Sequence, residues 1–287
     1  MKRLSDIGTI RDILSRHGFT FSKALGQNFL VNPSVCPRMA EASGASAGVG
    51  VLEIGPGIGV LTNELCQLAD KVVAVELDKR LLPVLDETLA EYDNVKIIRA
   101  DVLELDLNRL IAEEFPGLRV VVCANLPYYI TSPVIMKLLE DRLPVQAITV
   151  MVQKEAAQRI CAPVGSRESG AVTVSVNYYA EPHLLFGVSA GSFMPAPKVD
   201  SAVIRLEVLP QPPVQCSEAA FFRVVKAAFL QRRKVIANSL SAGLGLDKAA
   251  VTDLLTRAGV PQNARAEQLT LDDFASIANQ LTGGQHE

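Results

Sequence analysis

Much of the chain alternates between short apolar runs and amphipathic segments. The apolar runs are rich in Val and Ile and have no polar face, which is typical of parallel strands covered on both sides. Segments with apolar residues three and four positions apart predict helices between them. The predicted strands cover 49–54, 71–76, 95–100, 119–124 and 145–152, and the predicted helices cover 60–68, 79–90, 107–115, 133–140 and 154–161.

Two further helices are predicted ahead of the first strand. The first covers 5–17 and ends at Gly18, because glycine readily takes the left-handed conformation that terminates a helix. The second begins at Asn32, an N-cap residue followed by a first-turn proline, and runs to Ser43. Together they form an N-terminal helical arm, residues 1–45, in front of the alternating segment.

The last third of the chain departs from this alternation. Residues 171–208 are rich in β-forming residues and predict strands at 172–179, 181–188 and 202–208, which would extend the sheet with antiparallel edges. A proline-rich break follows at 209–214, and the chain after it has helical periodicity. The four helices predicted there cover 217–229, 231–242, 247–258 and 270–281.

This order of elements predicts the fold class and the domains. Alternating strands and helices indicate an α/β fold, a Rossmann-like sheet with helices on both faces, and the final helices indicate a small all-helical domain. We place the boundary at the proline-rich break, so that the first domain covers 1–208 and the second covers 209–287.

Composition agrees with a folded protein and narrows its chemistry. Of the 287 residues, 49% are apolar, which supplies a sizeable core and excludes disordered and collagen-like chains. The net charge of −3 argues against a nonspecific nucleic-acid coat protein. Two regions are nevertheless basic: residues 1–40 carry six Lys and Arg against two Asp, and residues 222–234 carry five with no acid. Each region fits either an RNA contact or a solvated helix face.

The patterns of cysteine, histidine and hydropathy argue against metal sites, disulfide frameworks, secretion and membrane spans. The five cysteines are at least 30 positions apart and the three histidines do not cluster, so we expect no metal and no disulfide framework. The first 14 residues lack the apolar stretch of a signal peptide. The longest uncharged run, 120–136, contains an asparagine and two prolines, which argues against a membrane span. We therefore expect a cytoplasmic protein with reduced thiols.

A glycine-rich turn follows the first predicted strand, in the segment Glu53-Ile-Gly-Pro-Gly-Ile-Gly59. Glycines at a strand-to-helix turn allow a ligand to approach the backbone closely. The spacing is Gly-x-Gly-x-Gly, whereas a dinucleotide fingerprint would need a glycine at position 60, which is valine. The turn therefore suits a nucleoside ligand without a diphosphate, although it could also be only a tight connection.

Two acidic residues end the next two strands. Glu76 lies 19 residues after Gly57, at an offset where a carboxylate can accept hydrogen bonds from both ribose hydroxyls. Asp101 follows the third strand and could accept a hydrogen bond from an adenine amino group. Either could instead be an ordinary surface carboxylate. A glycine-rich turn, a Glu and an Asp in this order are typical of methyltransferases that use S-adenosyl-L-methionine (SAM).

The segment Asn125-Leu-Pro-Tyr128 follows the fourth strand and indicates the reaction. The Asn125 side-chain oxygen and the Leu126 carbonyl can accept hydrogen bonds from both hydrogens of an adenine amine. Such bonds stabilise the positive charge that develops as the nitrogen attacks a methyl group. Pro127 fixes the backbone, and Tyr128 offers a ring on which the base can stack. The alternative is a plain proline turn.

Five segments of the chain resemble the ribosomal RNA adenine N6,N6-dimethyltransferase family of the small ribosomal subunit. They occur in the family's order and together lie within about residues 20–240. The segments are Lys23–Leu30 (KALGQNFL), Val51–Gly59 (VLEIGPGIG), Asn125–Ile130 (NLPYYI), Ser192–Ala202 (SFMPAPKVDSA) and Ala228–Lys234 (AFLQRRK).

The resemblance implies a cofactor, a substrate and a set of site residues. SAM would be the methyl donor, and two adjacent adenines in a 3′-terminal hairpin loop of 16S rRNA, in the small (30S) subunit, would each receive two methyl groups. Phe193 would stack on the other face of the target base, although it could equally be a core residue. The residues implied to contact SAM are Gln27, Asn28, Leu30, Gly55, Gly57, Glu76, Asp101 and Asn125. Those implied to meet rRNA phosphates are Lys23, Arg232, Arg233 and Lys234.

We expect the protein to be a monomer. Three alternative functions stay open. A large-subunit rRNA adenine methylase of the macrolide-resistance type would use a similar site, and so would a DNA adenine methylase. Both typically carry another residue in place of Leu126. A noncatalytic assembly factor could use the same fold to inspect the small subunit.

Overall fold

The computed structural model describes residues 4–20, 27–231 and 233–283. The chain divides into two compact units, Met1–Ala157 with Pro182–Val208, and Gln158–Glu181 with Leu209–Glu287. The strands are β1 (Phe29–Leu30), β2 (Val49–Ile54), β3 (Lys71–Glu76), β4 (Val95–Arg99), β5 (Arg119–Asn125), β6 (Ala147–Gln153), β7 (Ala180–Val188), β8 (Phe193–Met194) and β9 (Ser201–Val208). The α-helices are α1 (Ile7–Arg16), α2 (Val35–Ala42), α3 (Val60–Cys66), α4 (Leu82–Thr88), α5 (Leu107–Glu114), α6 (Thr131–Glu140), α7 (Lys154–Ile160), α8 (Ala171–Tyr179), α9 (Glu218–Ala228), α10 (Ile236–Leu244), α11 (Lys248–Ala258) and α12 (Leu271–Gly283).

The first unit is built on a mixed sheet, which has seven strands within the described residues. Their order is β4-β3-β2-β5-β6-β9-β7. The first five strands in this order pair in parallel, and β9 runs antiparallel to β6. A separate small sheet pairs β1 with β8 in antiparallel fashion. The predicted α/β class, with an antiparallel strand extending the sheet, is confirmed.

Strand β2 shows why the apolar runs lack a polar face. All six of its residues are buried. Gly50 faces the ring of Phe115 at the end of α5, and a Cβ atom at Gly50 would lie 2.3 Å from that ring. Val49 and Val51 belong to a core cluster that includes residues of α1 to α4. Helices therefore cover this strand on both faces, as a parallel sheet requires.

The N-terminal arm is helical at both predicted places. Helix α1 begins after Asp6, whose carboxylate accepts a hydrogen bond from Thr9 N–H at 2.8 Å, and it ends before Gly18, which has φ +59°. The N-cap of helix α2 is Ser34, two residues later than the predicted cap, Asn32. The Asn32 side chain accepts a hydrogen bond from Ser34 N–H at 3.1 Å and so forms a turn ahead of the helix rather than its cap.

The prediction of a strand at 172–179 is wrong, because this segment is helix α8 of the second unit. The helix is capped by Gly170 N–H, which donates to Thr173 Oγ1 at 2.9 Å. Most of its residues are buried, so it has no polar face from which a helical period could be recognised. Tyr178 packs against Phe221 of α9 with ring centroids 4.5 Å apart. Burial therefore overrides the β-propensity of its Val, Thr and Tyr residues.

The second unit otherwise contains the predicted C-terminal helices as α9 to α12. The helix predicted at 231–242 is wrong at its start, because α10 begins at Ile236 and the described residues Arg233 and Lys234 lie ahead of it. It begins its longer segment at Leu209, at the proline-rich break, but it also includes Gln158–Glu181. A functional boundary at 208/209 stays a prediction. Among the described residues, no helix is long and apolar enough to cross a membrane.

Candidate active site

A cleft in the first unit opens where β2, β3 and β5 end. It contains about 1120 Å³ of free space, counting its open mouth. All predicted catalytic and cofactor-contacting residues line it, namely Gln27, Asn28, Leu30, Gly55, Gly57, Glu76, Asp101, Asn125, Leu126, Pro127, Tyr128 and Phe193. The structure therefore brings them together, while their individual roles stay predictions.

The glycine-rich turn forms one wall of the cleft through its backbone. Gly55 and Gly57 have φ values of +70° and +61°, a region that side chains rarely adopt. A Cβ atom at Gly57 would also lie 3.3 Å from the Phe29 ring. Because both residues lack a side chain, the backbone can bend here and a ligand can lie directly against it.

Glu76 ends β3 inside the cleft and is only 6% exposed. Its Oε1 accepts a hydrogen bond from Asp78 N–H at 2.7 Å. Burial raises the pKa of this carboxyl, and backbone N–H groups of Asp78 and Gly57 partly offset that rise. A buried carboxylate in the lining of a cleft is suited to accept hydrogen bonds from ligand hydroxyls.

The Gln27 side chain is held in place by a network of polar contacts that the sequence did not indicate. Its Nε2 donates to Asp78 Oδ2 at 2.9 Å. Asp78 is also paired with Arg80, with Nη2–Oδ2 at 2.6 Å, and this guanidinium lowers the pKa of Asp78 to about 2. The same guanidinium lies 5.0 Å from the Phe19 ring centroid. The network therefore connects Phe19 and Gln27 of the N-terminal arm to the loop after β3.

Glu53 is a cleft residue that the sequence reasoning missed. It lies in β2 and is 1% exposed, and among the described residues its Oε2 accepts no hydrogen bond. Burial raises its pKa to about 8, and the charge of nearby Glu76 adds to the rise. Its signal in the sequence was a single charged residue within an otherwise apolar strand. A buried carboxylate oxygen of this kind fits a ligand that brings a positive charge or an N–H group.

Asp101 lies in the cleft lining after β4. Its Oδ1 accepts a hydrogen bond from Leu103 N–H at 2.9 Å, so one carboxylate oxygen already takes part in a local turn. A structural role as a loop carboxylate and a role toward a ligand are therefore compatible in this residue.

The Asn125–Tyr128 segment is held at the cleft rim from several sides. Asn125 is the last residue of β5, and Leu126 N–H donates to Met151 O at 3.3 Å while the Leu126 side chain is buried. Pro127 has φ −56° and begins a short 3₁₀ turn. The Tyr128 hydroxyl lies 2.7 Å from Ser201 Oγ. The segment is thus fixed by its surroundings, as a precise binding site requires.

The position of Phe193 is compatible with both predictions made for it, a core residue and a contact for the target base. It is 5% exposed and belongs to the main core cluster, yet it also lines the cleft. It lies in β8, where it pairs with Leu30 of β1. The two predicted contact residues Leu30 and Phe193 are therefore placed by the same small sheet.

The residues predicted to contact phosphates do not line the cleft within the described residues. Lys23 and Arg232 fall outside the described residues. Arg233 and Lys234 belong to the second unit, where both are exposed. Within the described parts of the chain, no three His, Cys, Asp or Glu side chains are grouped so as to hold a metal ion.

Sequence comparisons match this chain along almost its whole length. A family model described as ribosomal RNA adenine dimethylase matches residues 18–283. The chain is 45% identical over 283 residues to ribosomal RNA small subunit methyltransferase A of Alkaliphilus oremlandii, covering 98% of this chain and 99% of the relative. It is 47% identical over 286 residues to the protein of the same name from Geobacillus thermodenitrificans, covering 98% and 97%.

Comparison with solved structures gives the same fold. A dimethyladenosine transferase from Plasmodium falciparum superposes with a TM-score of 0.74 at 26% identity, over 87% of this chain and 95% of that one. The 23S rRNA methyltransferase ErmE superposes with a TM-score of 0.67 at 28% identity, over 89% and 100%.

Proposed function

This chain belongs to the ribosomal RNA adenine dimethylase family, and from that premise we propose that it methylates 16S rRNA in the small (30S) ribosomal subunit. The methyl groups come from SAM and go to the N6 amines of two adjacent adenines in a 3′-terminal hairpin loop, giving N6,N6-dimethyladenosine. The enzyme acts as a monomer in the cytoplasm during subunit assembly.

One observation carries this proposal. The Asn125–Tyr128 segment, which suits an adenine amine, lies in the same cleft as the glycine-rich turn and Glu76, which suit a nucleoside. A methyl donor and an acceptor amine could therefore meet inside one cavity. Placing two reactants in line is itself a large contribution to catalysis.

The cleft residues fit SAM. Gly55 and Gly57 leave room along the backbone for its methionine part, and Glu76 offers a buried acceptor for its ribose hydroxyls. The buried Glu53 Oε2 would accept a hydrogen bond from the ammonium group of SAM, whose positive charge would favour the ionised form of this carboxyl. Gln27, Asn28, Leu30 and Asp101 would complete the contacts. When bound, SAM supplies an electrophilic methyl group.

The chain's own contribution to the reaction is to make the N6 amine of adenine, a poor nucleophile, more reactive. The Asn125 side-chain oxygen and the Leu126 carbonyl accept hydrogen bonds from the two amine hydrogens, which favours the charge that develops on nitrogen. Tyr128 and Phe193 supply aromatic surfaces for the base. No general base is needed, because the alkylated ammonium is acidic enough to lose its proton to water.

The substrate base has to leave its stack to enter the cleft. Extrusion costs a few kcal/mol in a duplex and less in a loop, which favours a hairpin loop as the target. Arg233 and Lys234 would then neutralise phosphates of the surrounding rRNA.

A large-subunit target is the second candidate, because the superposition on ErmE is also close. The relatives that are 44–47% identical favour the small subunit, since their names specify it.

The test is methyl transfer from tritiated SAM to unmethylated 30S subunits, 50S subunits and duplex DNA in parallel. We expect label in 30S subunits alone and dimethyladenosine in their rRNA by mass spectrometry. Label only in 50S subunits or only in DNA would contradict the proposal. Binding of 30S subunits without any label would instead indicate a noncatalytic assembly factor.

A further inference from the structure

Two neighbouring residues where β9 begins, Asp200 and Ser201, make contacts that hold the two aromatic residues of the site. Ser201 contacts Tyr128 directly, and Asp200 contacts the turn that precedes Phe193. Ser201 is fully buried, and its Oγ lies 2.7 Å from the hydroxyl of Tyr128. Asp200 Oδ1 accepts a hydrogen bond from Ala190 N–H at 2.9 Å. Ala190 begins the 3₁₀ turn Ala190–Ser192, which leads directly into Phe193.

The strand that carries this pair is itself firmly anchored. Ser201 pairs with Gln153 of β6 in the main sheet. The Asp200 carbonyl accepts a hydrogen bond from Lys154 N–H at 3.0 Å. The pair is therefore a rigid support that is shared by two segments far apart in sequence.

The Phe193 side of this arrangement has further fixed contacts. Ser192 is 3% exposed, and its carbonyl accepts a hydrogen bond from Val31 N–H at 2.9 Å. The Asn32 Nδ2 donates to Ser192 Oγ at 3.1 Å. The turn held by Asp200 is thus also attached to the N-terminal arm.

We propose that Asp200 and Ser201 are positioning residues that set the two aromatic surfaces for the target adenine. Ser201 fixes the Tyr128 ring through its hydroxyl, and Asp200 fixes the turn that presents Phe193. The Tyr128 hydroxyl accordingly takes no part in the chemistry. This inference rests on the proposed function of the cleft.

The first arm of the test is a double-mutant cycle on methyl transfer to 30S subunits. Ser201→Ala and Tyr128→Phe each remove the same hydrogen bond, so each is expected to lower kcat/KM about five- to tenfold, and the double variant no further. SAM affinity, measured by equilibrium dialysis, is expected to stay unchanged. Ser46→Ala, an exposed serine outside the cleft, is the matched control.

The second arm measures the Tyr128 hydroxyl directly. The chain has five tyrosines, and in protein labelled with 3-fluorotyrosine the Tyr128 resonance is the one absent from Tyr128→Phe. Burial and the Asp200 charge raise the pKa of Tyr128, and the Ser201 hydrogen bond lowers it. Ser201→Ala is therefore expected to raise this pKa and Asp200→Asn to lower it.

The third arm tests Asp200. Asp200→Asn keeps an acceptor for Ala190 N–H, so its methyl transfer is expected to fall less than that of Asp200→Ala. An equal fall in the two variants would overturn the role of Asp200.

The remaining outcomes separate this inference from the function on which it rests. Full activity of Ser201→Ala, or additive effects in the cycle, would overturn the positioning role alone. Full activity of Tyr128→Ala would overturn both the positioning role and the assignment of Tyr128 to the site. Absence of methyl transfer by the parent protein would overturn the proposed function itself.

Discussion

The polar residues of the cleft differ in how deeply they are buried, and therefore in how much a substitution would affect the fold. Asn125 is partly exposed at a strand end, whereas Glu53 and Glu76 are buried carboxyls on the central strands. Burying a carboxyl costs stability unless a partner compensates for the lost hydration. Glu76 is partly compensated by backbone N–H groups, whereas Glu53 Oε2 accepts no hydrogen bond among the described residues. Substitutions at the exposed and the buried positions should therefore separate an effect on the reaction from effects on ligand binding and stability.

Replacing Asn125 with Ala is expected to abolish methyl transfer while leaving the fold intact. In the proposed function the side chain accepts a hydrogen bond from the reacting amine, and it contributes little to the core, so a fall in rate of at least about 100-fold is expected. Single-turnover transfer at saturating SAM and a thermal melt measure the two effects. Asn108→Ala, on α5, is the control, and retention of most of the parent rate by Asn125→Ala would refute the role.

Replacing Glu76 with Ala is expected to weaken SAM binding. Two ribose hydroxyls would be left without their acceptor, which costs about 1–3 kcal/mol, or about 5- to 150-fold in Kd. Titration calorimetry with SAM measures the change. An unchanged Kd would contradict the ribose contact.

Glu53→Gln is expected to change how stability depends on pH. The Glu53 pKa is about 8 in the folded chain and 4.5 without burial. Between these values the unfolded chain has released this proton and the folded chain has kept it, so the parent loses stability as pH rises from 4.5 to 8. The neutral Gln variant should therefore gain up to a few kcal/mol relative to the parent across this window.

Denaturant unfolding at about pH 5 and about pH 8 measures this gain. At pH values below the unfolded pKa the two proteins should differ by a constant amount, which serves as the internal control. A difference that stays constant across the whole window would show that Glu53 ionises normally.

At the scale of secondary-structure elements, strands were predicted better than the contacts between them. Strands β2 and β3 have the predicted bounds because both are mostly apolar. A Gly-rich turn follows β2, and β3 ends at the acidic residue Glu76. Helix α8 was mistaken for a strand because burial on nearly all sides removes its period. The Tyr128–Ser201 contact and the missing hydrogen-bond partner of Glu53 Oε2 could not be predicted, since both depend on how distant segments pack.

A close helix contact in the second unit provides a test of packing. A Cβ atom at Gly243 of α10 would lie 2.5 Å from the Ala227 Cα of α9. Gly243→Ala must push the two helices apart, which is expected to cost about 1–3 kcal/mol in the free energy of unfolding.

Urea unfolding followed by circular dichroism measures this cost. Gly187→Ala is the matched control, because a Cβ atom there meets nothing within 4 Å. A Gly243→Ala variant as stable as Gly187→Ala would show that α9 and α10 tolerate a wider spacing.

At the scale of the whole molecule, an acidic chain has to bind a polyanion. Its net charge of −3 gives no general attraction for RNA, so affinity must come from local basic regions such as 222–234. Affinity that depends on a few phosphate contacts responds to salt in proportion to their number.

Replacing Arg233 and Lys234 together with Ala is expected to weaken binding to 30S subunits. The slope of log Kd against log salt should fall by about 0.7–0.9 for each phosphate that the variant no longer neutralises. Filter binding across a series of KCl concentrations measures it. Lys248→Ala, an exposed lysine on α11, is the control, and an unchanged slope in the double variant would remove these residues from the RNA contact.

The second compact unit is discontinuous in sequence, and this affects how the protein is made. Tyr178 and its partner Phe221 are separated in sequence by strands of the other unit. During synthesis the aromatic surface of α8 therefore leaves the ribosome before α9, the helix that covers it. Tyr178 lacks its Phe221 contact until α9 has been translated. A chain released early at the proline-rich break would carry this uncovered surface permanently.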